Sequence, residues 1–593
     1  MIKKWNLLPP PPEEFINAHP ELPSTVAQLL WNRNLRDQEK IDEFLNPDYL
    51  QDIHDPFLFQ DMEKATEIIF TSIKNQENIV VHGDYDADGV CASAIIITCL
   101  RKLGAQHVTV FIPHRETDGY GLNPNTIELL DSQKTNLIIT CDCGISNYNE
   151  VELAKKKKIK VIITDHHTVP QRIPNADAII HPLVPNEPYP DKGLCGGAVG
   201  FKLVQALLKK FALTYTTLPD GQTFESFEKW LLDMVALASI GDMVPLLGES
   251  RTLTRYGLTV INKTKNIGLQ KLLIAAGLAD EKGNSKRGTY NSYTMSFQII
   301  PRINAAGRMD HANVAFALLM ATNETEATEL ALQLNKNNLD RQKITEQYVV
   351  EARRQIKETD QQNNPVLFVL GPNWPTGILG LICGKIKDEF HHPAIVMGEN
   401  DKEIVGSGRS IKEFNLIAAM QEMPEVFGKF GGHPQACGFT LKDKNLLEEF
   451  KTKLTAKAAI KTASVDLTPQ INVDAEIDLD EVTWKLYDLL EKFEPFGQAN
   501  EEPTYMARSV TVVQVDPVGQ DGKHLRITVK HNSHLIKKTI GFGLGDIKRY
   551  AENWRECLKP GDKIDIVFSI GVNEWNGNRE LQLTIQDIKK TSV

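Results

Sequence analysis

The chain has 593 residues, 41% hydrophobic and 24% charged, which is too long for one hydrophobic core and too apolar for bulk disorder, so roughly three to five domains are expected. Its 66 basic and 77 acidic residues leave a formal net charge of −11; this excludes a uniformly basic coat for nucleic acid but not local Lys and Arg clusters that bind phosphate. The eight cysteines form no disulfide framework, no segment has the apolar length of a membrane span, and Met1-Ile2-Lys3-Lys4-Trp5 runs into prolines rather than a leader core, so a cytoplasmic protein without a membrane partner is expected.

Residues 1–60, with prolines from Pro9 to Pro12 and helical patterns such as Val26-Ala27-Gln28-Leu29-Leu30, read as a small subdomain packed on its neighbour. From 61 to 312 the pattern predicts helices over Met62 to Lys74, Val90 to Leu103, Pro124 to Ser132 and Ser146 to Lys157. Between them lie predicted strands over Asn78 to His82, Val108 to Ile112, Leu137 to Cys141 and Lys160 to Thr164. This alternation predicts a parallel α/β sheet. Helices over Phe201 to Phe211 and Phe227 to Ile240 follow. Residues 313–358 keep apolar positions at helical spacing and read as a long connecting helix, with Asn335 to Asn338 as the place for any break. A second α/β unit over 359–460 begins with a strand at Val366 to Leu370 and carries glycine-rich turns at Gly406 to Ser410 and Gly431 to Pro434. Residues 461–593 alternate apolar and polar positions in Ser509 to Val515, Leu525 to Val529 and Lys563 to Phe568, as in a five-stranded oligonucleotide-binding barrel.

Polar clusters end the predicted strands of the first α/β domain, and in parallel sheets that edge binds ligands. In His82-Gly83-Asp84-Tyr85-Asp86-Ala87-Asp88-Gly89 an imidazole and three carboxylates share one turn. Carboxylates this close need a cation, or burial and mutual repulsion would force protonation. Cys141-Asp142-Cys143-Gly144, Asp165-His166-His167 and Asp242 add candidates: Asp86 and Asp88 can face different ions, Asp142 can bridge them, and His166 and Asp242 can complete the second site. Mixed oxygen and imidazole ligands favour Mn²⁺, with Mg²⁺ second and Zn²⁺ less suited. A calcium loop would need a late glutamate where Ala92-Ser93-Ala94-Ile95 stands. Asp84 reads as a support that hydrogen-bonds a ligand or a nearby amide.

Asp165-His166-His167, together with His82-x-x-x-Asp86-x-Asp88, Asp142 and Asp242 in that order, resembles the DHH phosphoesterase superfamily, and Gly431-Gly432-His433 resembles its associated C-terminal domain. Val81 to Gly89, Pro301-Arg302-Ile303-Asn304-Ala305-Ala306-Gly307-Arg308 and the terminal barrel are similar to its bacterial exonuclease branch. The resemblance implies a single-stranded-DNA-specific 5′-to-3′ exonuclease of DNA repair and recombination that releases 5′-mononucleotides. It implies two divalent cations, one held by His82, Asp86 and Asp142, the other by Asp88, Asp142, His166 and Asp242. The catalytic set is then Asp142, His167 and Asp84, with His167 on a non-bridging phosphate oxygen, on the leaving O3′, or merely orienting Asp165.

Arg302, Asn304, Arg308, Ser407, Arg409, Gly431, Gly432 and His433 are the implied substrate contacts, in loops that a phosphate can approach closely. Lys523, His524, Arg526, Lys530, Lys537 and Lys538 are a candidate stripe for single strands on the barrel, with Trp575 as a stacking candidate. A single-stranded-DNA-binding protein and a RecQ-type helicase are the implied partners. The competing readings are a phosphodiesterase of short oligonucleotides or cyclic dinucleotides and a non-catalytic DNA-binding replication factor.

Overall fold

The structure, a computed structural model, describes residues 3–286, 288–533, 536–546, 553–575 and 578–591. It opens with a strand, β1 (Lys4–Leu7), and the helices Ser24–Asn32 and Gln38–Leu45. The strands β2 (Ile79–His82), β3 (Val108–Phe111), β4 (Leu137–Cys141), β5 (Lys160–Thr164) and β6 (Ala178–Ile180) then form an all-parallel sheet in the order β3-β2-β4-β5-β6. These strands are nearly continuous apolar runs because both faces are covered. Val81, Ile139 and Ile162 pack beneath the helix Ala87–Lys102, while Val80, Ile138, Val161 and Ile163 face the helices Pro124–Ser132 and Tyr148–Lys156. The chain runs from β2 outward to β3 and then back to β4 on the other side. The crevice of a doubly wound sheet therefore opens beyond His82 and Cys141.

The connecting helix, Glu324–Glu358, runs unbroken for 35 residues, and nothing at Asn335 to Asn338 interrupts it, since it contains neither proline nor glycine. Ala327, Ala331 and Leu334 enter the core of the parallel-sheet domain, and Val349, Ala352 and Ile356 enter that of the second unit. One rigid rod thus sets the spacing of the two.

In the second unit β7 (Leu367–Pro372), β8 (Ala394–Glu399), β9 (Ile404–Arg409), β10 (Phe427–His433) and β11 (Ala436–Leu441) are ordered β10-β11-β9-β8-β7, and only β7 and β8 pair in parallel. The expected glycine-rich turns are strand instead: Gly406 to Arg409 lies on β9 and Gly431 to His433 on β10. At Gly406 the glycine makes room for a ring rather than for a turn, because a Cβ there would sit 2.2 Å from Phe439 Cζ.

Beyond β12 (Gln470–Val473) and β13 (Ala475–Glu476), the strands β14 (Tyr505–Val518), β15 (His524–Lys530), β16 (Ile536–Gly541), β17 (Lys563–Trp575) and β18 (Asn578–Lys590) close into a five-stranded barrel through the β14–β17 pairing. The leading subdomain packs on this barrel. Val26, Leu29, Leu30, Ile41 and Phe44 share its core, and β1 pairs in parallel with β12, Lys4 opposite Gln470 and Leu7 opposite Val473. The buried guanidinium of Arg251 locks the junction by donating to Phe44 O, Lys492 O and Phe493 O at 2.7 to 3.2 Å. Among the described residues no helix is long and apolar enough to cross a membrane.

Candidate metal centre

β2 ends at His82, a buried ring stacked on Phe111 at 5.3 Å with its Nδ1 3.7 Å from Cys143 Sγ. Asp86 Oδ1 then accepts from the amides of Asp88 and Gly89 at 3.0 and 3.1 Å, capping the next helix. The cap starts that helix at Ala87, ahead of the expected Val90, so Asp88 lies in its first turn. The Asp88 carboxylate accepts from Gly196 N at 2.7 Å and Gly197 N at 2.6 Å, the first amides of the helix Gly196–Phe211, where the positive end of a helix favours an anion. A Cβ on Gly196 would sit 2.5 Å from Asp142 Cβ.

Asp142 leaves β4 in the left-handed region at φ 61°. His166 Nε2 stands 3.1 Å from Asp142 Oδ1, 3.4 Å from Asp242 Oδ2 and 3.7 Å from Asp88 Oδ2. Asp242 caps the C-terminal end of the helix Leu232–Gly241. Three groups bring one ligand atom per residue within 4.8 Å of one another: Asp88 with His166 and Asp242, Asp142 with His166 and His167, and Asp84 with Asp86 and Asp142. Asp84 therefore stands at ligand distance from Asp86 and Asp142, whereas His82 joins none of these groups.

Burial and then neighbouring carboxylates push the acids upward: Asp88 to about 7, Asp242 to about 8, and Asp84 and Asp142 well above the ordinary range. Burial also lowers His82 to about 4 and His166 to about 3, keeping both imidazoles neutral with a lone pair to give. His82 Nε2, Asp84 Oδ1, Asp142 Oδ1 and His166 Nε2 are buried without a hydrogen-bond partner in the protein. Crowded carboxylates, neutral imidazoles and orphaned lone pairs fit divalent cations.

His167 behaves differently. Burial lowers its basicity, but a 2.8 Å hydrogen bond to Asp165 outweighs that and raises it to about 9. Burial opposes ionisation of Asp165 too, yet His167 and the amides of Ile145, His166 and His167 hold it at about 2. Tyr120, which the sequence reading missed, donates from its hydroxyl to Asp142 O at 3.0 Å and lies 3.1 Å from His167 Nδ1.

Arg302, Asn304 and Arg308 lie on a helix, Ile300–Met309, and not in loops: it continues the helical run from Ser292 through the π-helical turn Met295–Ile299, and Pro301 in its first turn gives up no needed amide there. Asn304 Oδ1 accepts from Ala87 N at 2.7 Å and so braces the helix that carries Asp88. Arg302 is turned to the connecting helix, donating from Nε to Asn335 Oδ1 at 3.0 Å. Arg308 donates to Gly377 O at 2.9 Å and lines a cavity of about 480 Å³ between the two α/β units. Ser407, Arg409 and Gly431 line it too, together with Arg115 and Lys429. Gly432 and His433 end the same strand. On the barrel Arg526, Lys530 and Lys538 are exposed, whereas Lys537 points to the other side and donates to Val482 O at 2.7 Å. The Trp575 side chain lies outside the described residues.

Family models match in three places: the DHH family N-terminal domain over residues 78–239, the DHHA1 domain over 363–459 and the RecJ OB domain over 473–587. The single-stranded-DNA-specific exonuclease RecJ of Bacillus subtilis (strain 168) is 33% identical over 590 residues, spanning 98% of this chain and 70% of that protein. The Escherichia coli (strain K12) protein of the same name is 30% identical over 600 residues, 97% of each chain. RecJ from Thermus thermophilus, solved in complex with Mn²⁺, superposes with a TM-score of 0.80 at 26% identity over 100% of this chain and 80% of its own. A structure of it with Mg²⁺ gives 0.75 at 24% identity, over 100% and 79%. The two α/β domains and the barrel thus match along almost the whole length, and the chain belongs to the RecJ family of metal-dependent, single-stranded-DNA-specific exonucleases.

Proposed function

We propose that the chain degrades single-stranded DNA from the 5′ end to 5′-mononucleotides, using two divalent cations with Mn²⁺ preferred over Mg²⁺. His82, Asp86 and Asp142 would hold one cation, with Asp84 beside them, and Asp88, Asp142, His166 and Asp242 the other. When bound, the pair neutralises charge on the transferring phosphoryl group and lowers the pKa of the attacking water. Asp165 favours the protonated form of His167 and occupies its Nδ1 at 2.8 Å. Nε2–H is then the donor for a phosphate oxygen or the leaving O3′.

The observation that carries the polarity is the cation-lined cavity. Asn304 braces the helix of Asp88, and Arg308, one turn further along the same helix, lines the cavity. Four residues of helix rise about 6 Å, a span suited to one nucleotide. A terminal 5′-phosphate held by Arg115, Arg308, Ser407 and Arg409 would place the next phosphodiester at the metal centre. The exposed Arg526, Lys530 and Lys538 support a sequence-independent grip on the rest of the strand.

DNA repair and recombination in the cytoplasm, with a single-stranded-DNA-binding protein and a RecQ-type helicase as partners, complete the reading on the family relationship. The test is digestion of a long single strand labelled separately at each end, with and without Mn²⁺. Early release of the 5′ label as a mononucleotide, only with metal, is expected. Early loss of the 3′ label, or cleavage confined to dinucleotides, would overturn the reading.

A further inference from the structure

The cavity between the two α/β units carries more positive charge than a terminal phosphate uses. Arg115, Arg308, Arg409 and Lys429 all line it, and no Asp or Glu does. Among the described residues none of the four forms an ion pair. The contacts of the arginines are neutral: Arg308 donates to Gly377 O at 2.9 Å, Arg409 to Ser407 Oγ at 3.1 Å and Gly408 O at 2.8 Å, and Arg115 to Gly307 O at 3.2 Å while lying 3.9 Å over the Tyr85 ring. Each guanidinium has five N–H donors, so most remain for a ligand. Behind them, Arg341 keeps a buried Nε without a partner, and its charge acts on Arg308.

A 5′-monophosphate bears about two negative charges at neutral pH, half the cavity's formal positive charge. The volume, about 480 Å³, is in the range of sites that take a whole small ligand rather than one oxyanion. Its walls are open where they could have been filled, since a Cβ on Gly431 or Gly438 would meet nothing within 4 Å.

We propose that this cavity accepts a 5′-triphosphate end, so that a strand begun without a primer is a substrate and its first nucleotide leaves as a nucleoside 5′-triphosphate. The proposal rests on reading the cavity as the pocket for the 5′ end. Chemically the step is the same hydrolysis. Water attacks the phosphorus of the first internal phosphodiester, the P–O3′ bond breaks, O3′ takes a proton, and the water oxygen stays on the new 5′-phosphate of the shortened strand. The phosphoanhydride bonds are untouched, and about four negative charges on the triphosphate meet four cationic side chains. The reaction class that supplies such ends is template-directed synthesis initiated on a nucleoside triphosphate.

The test uses the full chain with Mn²⁺ and one deoxyoligonucleotide carrying a 5′-hydroxyl, a 5′-monophosphate or a 5′-triphosphate, with first-turnover products identified by mass. Cleavage of the triphosphate strand within about fivefold of the monophosphate strand, releasing nucleoside triphosphate first, is expected. A strand with a triphosphate cut a hundredfold more slowly than its monophosphate counterpart, or cut only after losing pyrophosphate, would overturn the proposal while leaving the exonuclease reading intact. Resistance of the monophosphate strand would sink that reading instead. Lys429 is exposed, so Lys429→Ala should fold, and its rate on the triphosphate strand should drop roughly tenfold more than on the monophosphate strand. An equal drop on both would count against the proposal.

Discussion

At the residue scale the centre is built from side chains whose ordinary ionisation is opposed by their surroundings. Asp142 stands at the middle, 3.1 Å from His166 Nε2 and in two of the three ligand groups. Asp142→Ala should lower the exonuclease rate by three orders of magnitude or more, roughly the several kcal/mol that metal-assisted charge stabilisation supplies, and calorimetry should show weakened Mn²⁺ binding. A second buried acid serves no such site. Asp233 is pushed by burial to about 6, against hydrogen bonds from Thr264 and its own neighbour's amide. Folded protein keeps that proton up to about pH 6, and unfolded chain only to about pH 4. Stability therefore falls as pH rises between these values, and the full cost, of order 2–3 kcal/mol, persists above them. In Asp233→Asn the melting temperature relative to the parent should rise from pH 4 to pH 6 and then level off; a difference independent of pH would refute the assignment. Most of this centre was legible in the sequence, because carboxylates crowded at strand ends signal a cation whatever the fold. Tyr120, Arg115 and Lys429 were not, because a single Tyr, Arg or Lys in a polar stretch has no local signature and acquires its meaning only from what folds against it.

At the element scale, alternation and periodicity placed the strands and most helices, while the exceptions have local causes. Arg302, Asn304 and Arg308 read as loop residues beside small neighbours, yet the helix that begins at Ser292 continues past Pro301 and turns the three toward different partners. Gly406 and Gly431 read as turns because glycine's commonest use is conformational, whereas here one makes room for a ring and the other leaves a cavity wall bare. The connecting helix carries the sharpest element-level consequence. Inserting a single residue after the exposed Lys336 should rotate Val349, Ala352 and Ile356 by about 100° relative to Ala327, Ala331 and Leu334. Exonuclease activity should collapse while far-ultraviolet circular dichroism changes little. Retained activity would show that the helix does not set the cleft.

At the scale of the whole molecule, three domains and a leading segment are held by a few long-range ties that no pattern in the sequence reveals. Arg251 is one of them, a buried guanidinium that pairs with no carboxylate among the described residues and is satisfied by carbonyls near residues 44 and 492. Arg251→Met should cost roughly 3 kcal/mol or more, because those carbonyls would be left buried and unpaired, and the loss should show as a lower melting temperature with metal binding preserved.

The pairing of β1 with β12 has a consequence in time. At about 5–20 residues per second of synthesis, the first strand is made some tens of seconds before its partner, Gln470–Val473, leaves the ribosome. Throughout that interval the helices Ser24–Asn32 and Gln38–Leu45 expose Val26, Leu29, Leu30, Ile41 and Phe44 with no barrel to cover them. The parallel-sheet domain can assemble as it emerges, but the leading segment must wait for almost the last of the chain. A ribosome that stalls midway would therefore present this segment, rather than the metal centre, to whatever chaperone or protease is near.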